Sequence, residues 1–403
     1  MDILIIAHFT QSVSEGGNNR FNYLAQRLSK DESNDIELLT SSFFHTKKVH
    51  REWNYSQEGI DGYKTTMIKE PGYPKNVCLK RFYSHWVMSK NLKKYLKNRK
   101  KPDVIYCAVP SLDIAKVAAK YAKDNGVHFI IDIQDLWPEA FKMVLRVPII
   151  SDIIFAPMNS MANYIYKQAD EIIAVSNTYC QRAMRVNKKC KECHTVFLGT
   201  ELSVFDKNVQ ENHVELDKTY FNIGYCGTLG HSYDIKCVID AIDILKREKG
   251  IENIKFIVMG DGPLKLEFEK YASDKNVNAE FTGRLDYSKM CGMLSACDVA
   301  VNPISRGAAQ SIINKHADYA ASGIPVISTQ ECEEYRKLVD EYDMGINCDN
   351  GDINQIADAI EGLIREADAR KQLGNNARRC AEEKFDRNNT YNEIKKICVY
   401  MKK

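Results

Sequence analysis

The chain opens on an unbroken apolar run, Ile3 to Ala7, then a polar stretch over residues 10–19, then Phe21, Leu24, Ala25 and Leu28. A short apolar run reads as a strand buried on both faces, and apolar positions three and four apart read as one side of a helix. The spacing therefore predicts strand, loop, helix. Ile36–Leu39, Val104–Cys107, Phe129–Ile133 and Ile172–Val175 repeat the strand pattern, while Asp113–Asn125 and Ile154–Ala169 carry helical spacing between strands. Such alternation implies a parallel sheet covered by helices on both faces.

Residues 206–220 are polar and lack a period, which predicts a linker. After it the opening pattern starts again. Phe221–Cys226 reads as a strand, Gly227-Thr228-Leu229-Gly230 as a glycine loop, and Asp234 to about Lys249 as a helix. Lys255–Met259, Val277–Thr282, Val299–Asn302 and Pro325–Ser328 continue as strands, with a turn at Gly260-Asp261-Gly262-Pro263. The last stretch, from about Ile353, is helical in pattern. The fold class expected is α/β, with two Rossmann-like doubly wound domains, 1–205 and 221–385, and a terminal helix over 386–403.

Two glycine pairs sit where a strand hands over to a helix: Gly16-Gly17 in the first half and Gly227 to Gly230 in the second. Backbone N–H groups there can approach an anion, and a helix N-terminus favours negative charge. Neither loop is a G-x-G-x-x-G, so a dinucleotide fingerprint is absent, and a tight turn alone would also use glycine. A further helix is expected from Ser311 to Gly323. It carries Lys315 near its positive end and Asp318 three residues on, which fits either a held diphosphate and ribose or an ordinary intrahelical pair.

Composition is that of an ordinary globular protein of 403 residues, 44% hydrophobic and 27% charged. The net charge of +2 hides an asymmetry. Residues 1–210 hold 30 Lys and Arg against 22 Asp and Glu, a balance of +8, and the remainder is −6. A basic half could meet an anionic membrane surface, a phosphorylated lipid or a nucleic acid, or could be no more than an uneven spread of solvated charge. The start of the chain reads as a strand rather than an export signal, and no apolar run is long enough to span a bilayer. A cytoplasmic protein with reduced thiols is therefore expected from its thirteen cysteines. No metal site and no cofactor is expected.

The landmarks Gly16-Gly17, Asp135-Leu136-Trp137-Pro138-Glu139, Gly227 to Gly230, Gly260 to Pro263, Phe281-Thr282-Gly283-Arg284, and Asn314-Lys315 followed by Asp318 to Val326 occur in an order that resembles the retaining glycosyltransferases of family 4, of GT-B fold. The resemblance runs over nearly the whole chain and looks closest to bacterial enzymes of surface-polysaccharide and glycan synthesis. It implies transfer of a hexose or N-acetylhexosamine from a nucleotide sugar, a UDP-sugar by preference, to a saccharide or lipid-linked saccharide acceptor. No nucleic acid partner is implied, and the enzyme would work in the cytoplasm or at the inner face of the membrane. Gly260, Asp261 and Gly262 would lie beside the nucleotide, with Thr228 and Gly227 in the opposite loop. Arg284 and Leu285 would edge the base, Asp318 would hold the ribose, and Ser311, Ile312 and Ile313 would offer N–H groups to the diphosphate. Gly16 and Gly17 would close over the same phosphates. Asp135 would face the sugar and acceptor, and the terminal helix would return to the first domain.

Two departures stand out. The family's E-x7-E pair is here Gln310 and Asp318, and its Arg and Lys after the second-domain glycine loop are missing, with Lys236 further on. Lys315 or Arg306 is expected to supply the missing charge. With glutamine at 310, front-face attack is favoured over a covalent carboxylate intermediate. The competing classes are a nucleotide-sugar epimerase of the same fold and a non-catalytic binding subunit. Two further signals are discounted. Cys190-Lys-Glu-Cys193-His194 resembles a haem-attachment or half-zinc pattern but reads as free thiols in a basic loop. Asn91 to Lys101 is a basic helix end that either docks on anionic lipid or is simply solvated.

Overall fold

Residues 1–11, 19–51, 62–76, 78–144, 148–308 and 311–399 are described by a computed structural model. Every apolar run named above is a parallel strand within it. The chain divides into two units, Met1–Val196 with Tyr391–Lys403, and Phe197–Thr390.

The first unit holds β1 (Asp2–Ile6), β2 (Asp35–Ser41), β3 (Lys64–Ile68), β4 (Val104–Val109), β5 (His128–Ile133), β6 (Glu171–Ala174) and β7 (Cys193–Thr195). They form one parallel sheet in the order β3-β2-β1-β4-β5-β6-β7. The second unit holds β8 (Phe221–Cys226), β9 (Ile254–Met259), β10 (Ala279–Gly283), β11 (Val299–Asn302), β12 (Val326–Ser328) and β13 (Gly345–Asn347). Their order is β10-β9-β8-β11-β12-β13, again all parallel. Counted within its own unit, each sheet runs outward in both directions from its first strand. This is the doubly wound Rossmann arrangement, and it places a crevice at the carboxyl ends of the first and fourth strands.

Alternate residues of β8 and β9 face opposite sides. Ile223, Tyr225, Phe256 and Val258 pack into one core, and Cys226, Ile257 and Met259 into the other. In the first unit Ile3, Ile5, Leu24 and Ile130 share a core with Tyr391, Ile394 and Cys398 from the end of the chain. An ion pair is buried in this unit. Arg20 Nε donates to Asp132 Oδ2 at 2.6 Å, the Tyr106 hydroxyl donates to the same oxygen, and Arg20 also reaches the Val196 carbonyl. Burial alone would disfavour the Arg20 charge, but the Asp132 carboxylate and its hydrogen bond hold the guanidinium firmly protonated.

Three expectations differ from the structure. Part of the expected linker is a helix, Leu202–Glu211, because Leu202 and Phe205 bury against the core of the second unit. The helix expected from Ser311 starts at Asn314, since Ile313 is extended, with φ −105° and ψ 163°. Cys193 is not a free thiol. It is disulfide-bonded to Cys180, with the Cα atoms 5.6 Å apart, and ties β7 to the helix Asn177–Met184.

Candidate functional site

The glycine loops of the second unit lie against each other at the carboxyl ends of β8 and β9. Gly227 N–H donates to the Met259 carbonyl, Leu229 N–H to Asp261 O at 2.9 Å, and Leu264 N–H to Leu229 O. The approach excludes side chains. A Cβ on Gly260 would lie 1.8 Å from the Gly227 carbonyl oxygen, and one on Gly262 would lie 2.3 Å from that of Leu229. Gly260 also bridges Gly283 at the end of β10. Gly227, Thr228, Gly260, Asp261, Gly262, Arg284 and Leu285 are thus gathered on neighbouring strand ends. Thr228, Asp261 and Arg284 are exposed there, while Leu285 packs on the core.

Lys315 enters the same place from the helix Asn314–Ala321. Its Nζ lies 3.9 Å from the Tyr233 ring centroid and 4.6 Å from that of Tyr225. A Cβ on Gly227 would stand 3.6 Å from this nitrogen. Among the described residues the ammonium has no hydrogen-bond partner, although the residue is 8% exposed. Burial pushes its pKa down to about 7. A buried ammonium facing only ring π-systems is under-compensated, and an arriving anion would complete it. The ring pair is itself fixed: the Tyr225 hydroxyl donates to the Thr228 carbonyl at 2.9 Å.

Asp318 does not pair with Lys315. It accepts a 2.8 Å hydrogen bond from the Tyr287 hydroxyl, whose oxygen lies 2.9 Å from Thr200 Oγ1. Burial raises the Asp318 carboxyl to about 6, against the opposing pull of Tyr287 and Arg387. The two other cations weighed from sequence are engaged at the surface, Lys236 with Glu267 at 2.6 Å and Arg306 with Glu331 at 3.5 Å.

The segment before the helix is partly occupied. Ile313 N–H donates to His316 Nδ1 at 3.2 Å, so that N–H is not free for a phosphate. Gln330 Nε2 holds the Ser311 carbonyl at 2.8 Å, and the Ile312 side chain is in the core. His316 stacks on Tyr335 at 3.7 Å. Gln310, Gly16 and Gly17 lie outside the described residues.

Asp135 belongs to the first unit, just beyond β5. Its oxygens accept from Leu136 N–H at 2.9 Å and from Trp137 Nε1 at 3.2 Å, and burial raises the carboxyl. The carboxyl ends of β1, β2 and β4 gather further polar groups that sequence reading missed. His8 Nε2 meets Glu70 Oε1 at 2.8 Å, Ser84 Oγ donates to Glu70, and His85 Nδ1 meets Ser111 Oγ at 3.0 Å. Hydrogen bonds from His8, Ser41 and Ser84 hold the Glu70 carboxyl below its ordinary value despite burial. The Arg81 guanidinium lies 4.8 Å from the Trp137 ring. One signal was available for His8: a histidine directly after an apolar strand in the first crevice.

Residues 206–380 match the family model described as glycosyl transferases group 1. The match falls within the second unit, which is similar to that family. Two relatives are similar to the chain in sequence. One is an uncharacterized glycosyltransferase of Methanocaldococcus jannaschii, 24% identical over 59% of this chain and 60% of its own length. The other is the proposed colanic acid biosynthesis glycosyl transferase WcaI of Escherichia coli, 23% identical over 73% of this chain and 74% of its own. The matched part thus spans less than two thirds of the first relative. In fold, the chain is similar over its full length to Anabaena HepE, solved with UDP, at a TM-score of 0.68 and 14% identity, covering all of that chain. It is also similar to a sucrose-phosphate synthase of Thermosynechococcus elongatus, at 0.73 and 16% identity over 98% of each chain. The fold is GT-B, two Rossmann-like α/β domains with parallel sheets.

Proposed function

We propose that this chain is a retaining glycosyltransferase of family 4 that moves a hexosyl or N-acetylhexosaminyl group from a UDP-sugar to a lipid-linked saccharide in cell-surface polysaccharide or glycan synthesis. The observation that carries the reading is the unpaired Lys315 ammonium against Gly227 in the second unit. Lys315 holds the diphosphate and offsets the charge that develops as the sugar leaves. Thr228, Gly260, Asp261 and Gly262 present the two glycine loops to the same group. Asp318, freed from Tyr287, accepts a ribose hydroxyl. Asp135 faces the acceptor, and the departing phosphate oxygen takes the acceptor proton on the face from which the nucleotide leaves. The colanic acid role proposed for WcaI supports a polysaccharide product, and the UDP bound to HepE supports the base. The basic balance of residues 1–210 supports work at the inner face of the cell membrane.

A thermal-shift series with UDP, GDP, ADP and dTDP tests the donor, because a ligand that binds only the folded state raises its midpoint. UDP is expected to give the largest shift, and Lys315→Ala to abolish it. No shift with any nucleotide would overturn the reading. Incubation with UDP-sugar, with and without lipid-linked acceptor, then tests the reaction, whose product should appear only with acceptor and keep the anomeric configuration of the donor.

A further inference from the structure

The helix Leu79–Asn98 buries one side, with His85, Met88, Leu92 and Leu96 in the first unit. Its outward stripe is split lengthwise. Leu79, Phe82, Tyr83 and Trp86 occupy the first half and are exposed, Leu79 by 86%, Tyr83 by 58% and Trp86 by 49%. Lys90, Lys93, Lys94 and Lys97 continue the same stripe over the second half and are exposed as well. The spacing of three and four residues keeps all eight on one side of the helix. An ordinary solvated face mixes charges of both signs, and this stripe holds no acidic residue.

A groove of about 650 Å³ opens beside the lysine half, toward the helix Leu112–Asn125. Lys90, Lys93, Lys97 and Lys116 line it above a floor that includes Val117 and Met161. Its two carboxylates, Asp113 and Asp124, do not neutralise it, because seven Lys and Arg side chains line the same groove and Asp124 is held by Lys120 at 3.1 Å. The groove is therefore cationic at its rim and apolar below.

We propose that this stripe and groove dock on an anionic bilayer, the groove taking lipid headgroup phosphates while Leu79, Tyr83 and Trp86 enter the headgroup–acyl boundary. The inference rests on the lipid-linked acceptor reading and names the surface that would bring the enzyme to it. Charge complementarity selects the occupant. Phosphates at a membrane surface meet the lysine rim, and an aromatic belt at the same surface has an apolar layer to enter. A free anion would leave the aromatic half exposed. Among the described residues no helix is long and apolar enough to cross a membrane.

Flotation of the full chain with vesicles of phosphatidylcholine doped with phosphatidylglycerol, against phosphatidylcholine alone, tests this. Binding is expected only to the doped vesicles. The triple change Lys90→Ala, Lys93→Ala, Lys97→Ala should weaken it on the order of 100-fold, at about fivefold per lysine near the surface. Tyr83→Ala with Trp86→Ala should also weaken it, while the response to salt remains. All these positions are exposed, so the variants should keep the wild-type thermal midpoint and, where the donor reading holds, its shift by UDP. Equal flotation with both vesicles, flotation with neither, or unchanged flotation in the lysine variant would overturn the proposal whatever UDP does. Loss of the UDP shift in the wild type with vesicle selectivity intact would overturn the donor reading alone.

Discussion

Lys315 stands over Tyr233 with its ammonium 3.9 Å from the ring centroid, and Tyr225 closes a second side at 4.6 Å. The pair of rings stabilises a cation less well than water and a counter-ion would. The site is thus held in a state that an anion improves, and it sits where a doubly wound sheet leaves its crevice.

Replacing this lysine should separate stability from activity. Lys315→Met keeps an unbranched chain of similar length between the rings and removes the buried charge. Its thermal midpoint without ligand should equal or exceed that of the wild type, because no buried partner is left orphaned. Its kcat/KM for sugar transfer should fall about 10²- to 10³-fold, the usual loss when one donor to the departing group is removed. Wild-type kinetics in Lys315→Met would end the phosphate assignment.

The titrations of Lys315 and Asp318 set a pH window. Lys315 has a folded-state pKa of about 7, below its ordinary 10.5. Between those values the unfolded chain binds more protons, so the contribution of Lys315 to stability increases with pH there and is lost as pH falls toward 7. A bound diphosphate favours the ammonium, so above pH 7 binding must take up a proton and affinity declines by up to about tenfold per pH unit. Asp318 is raised to about 6 from 3.8, so its protonated form is favoured by folding below that range and this contribution is lost as pH rises through 6. Ribose recognition by the carboxylate should therefore weaken below pH 6. Calorimetric titration with a nucleotide sugar, whose esterified diphosphate does not titrate in this range, should show affinity greatest near pH 6–7. The upper arm should vanish in Lys315→Met and the lower arm in Asp318→Asn.

Strands buried on both faces were legible as apolar runs: β1, β4 and β5 in the first sheet, β8, β9 and β11 in the second. Within the two parallel sheets, the strands that sequence reading did not find are β3, β7 and β13, all on sheet edges. Lys64-Thr-Thr-Met-Ile, Cys193-His-Thr and Gly345-Ile-Asn are half-exposed and need no continuous apolar run, so nothing in their pattern separates them from loop. At the site, Lys315 and the glycine loops were readable from position. The Tyr225–Tyr233 walls, the Tyr287–Asp318 bond and the His316–Ile313 bond were not, because each joins residues whose proximity depends on packing rather than on local period. Asp132 had a signal that went unused, a carboxylate inside an apolar strand that demands a partner; the partner, Arg20, lies 112 positions away in sequence.

The Cys180–Cys193 bond makes Cys193→Ser a test of stability. Closing a loop of this size, with 13 residues of separation, restricts the unfolded chain by roughly 3 kcal/mol on loop-entropy grounds. The variant should therefore unfold at lower denaturant, and reductant should lower the wild type to the same midpoint. Thiol titration in denaturant should count eleven free cysteines without reductant and thirteen after it. Thirteen from the start would show that the bridge is not formed.

Gly260 offers the sharpest test of how the two loops are built. An added methyl would meet the Gly227 carbonyl oxygen at 1.8 Å, and that oxygen is backbone, so it cannot rotate aside. Gly260→Ala must push the Gly227–Gly230 loop off the Gly260–Gly262 loop, breaking the Leu229–Asp261 hydrogen bond and moving Gly227 away from Lys315. The expected result is loss of the UDP thermal shift together with destabilisation of about 1–3 kcal/mol, the range for overpacking in a tight site. Gly250→Ala is the control. Gly250 has a positive φ, +67°, and caps the helix Ile235–Lys249 in open space with nothing within 4 Å of its added Cβ. Its cost is the left-handed backbone alone, about 1–2 kcal/mol, so it should lose stability and keep the nucleotide response. If Gly260→Ala also kept that response, the apposition of the two loops would have no part in holding the nucleotide.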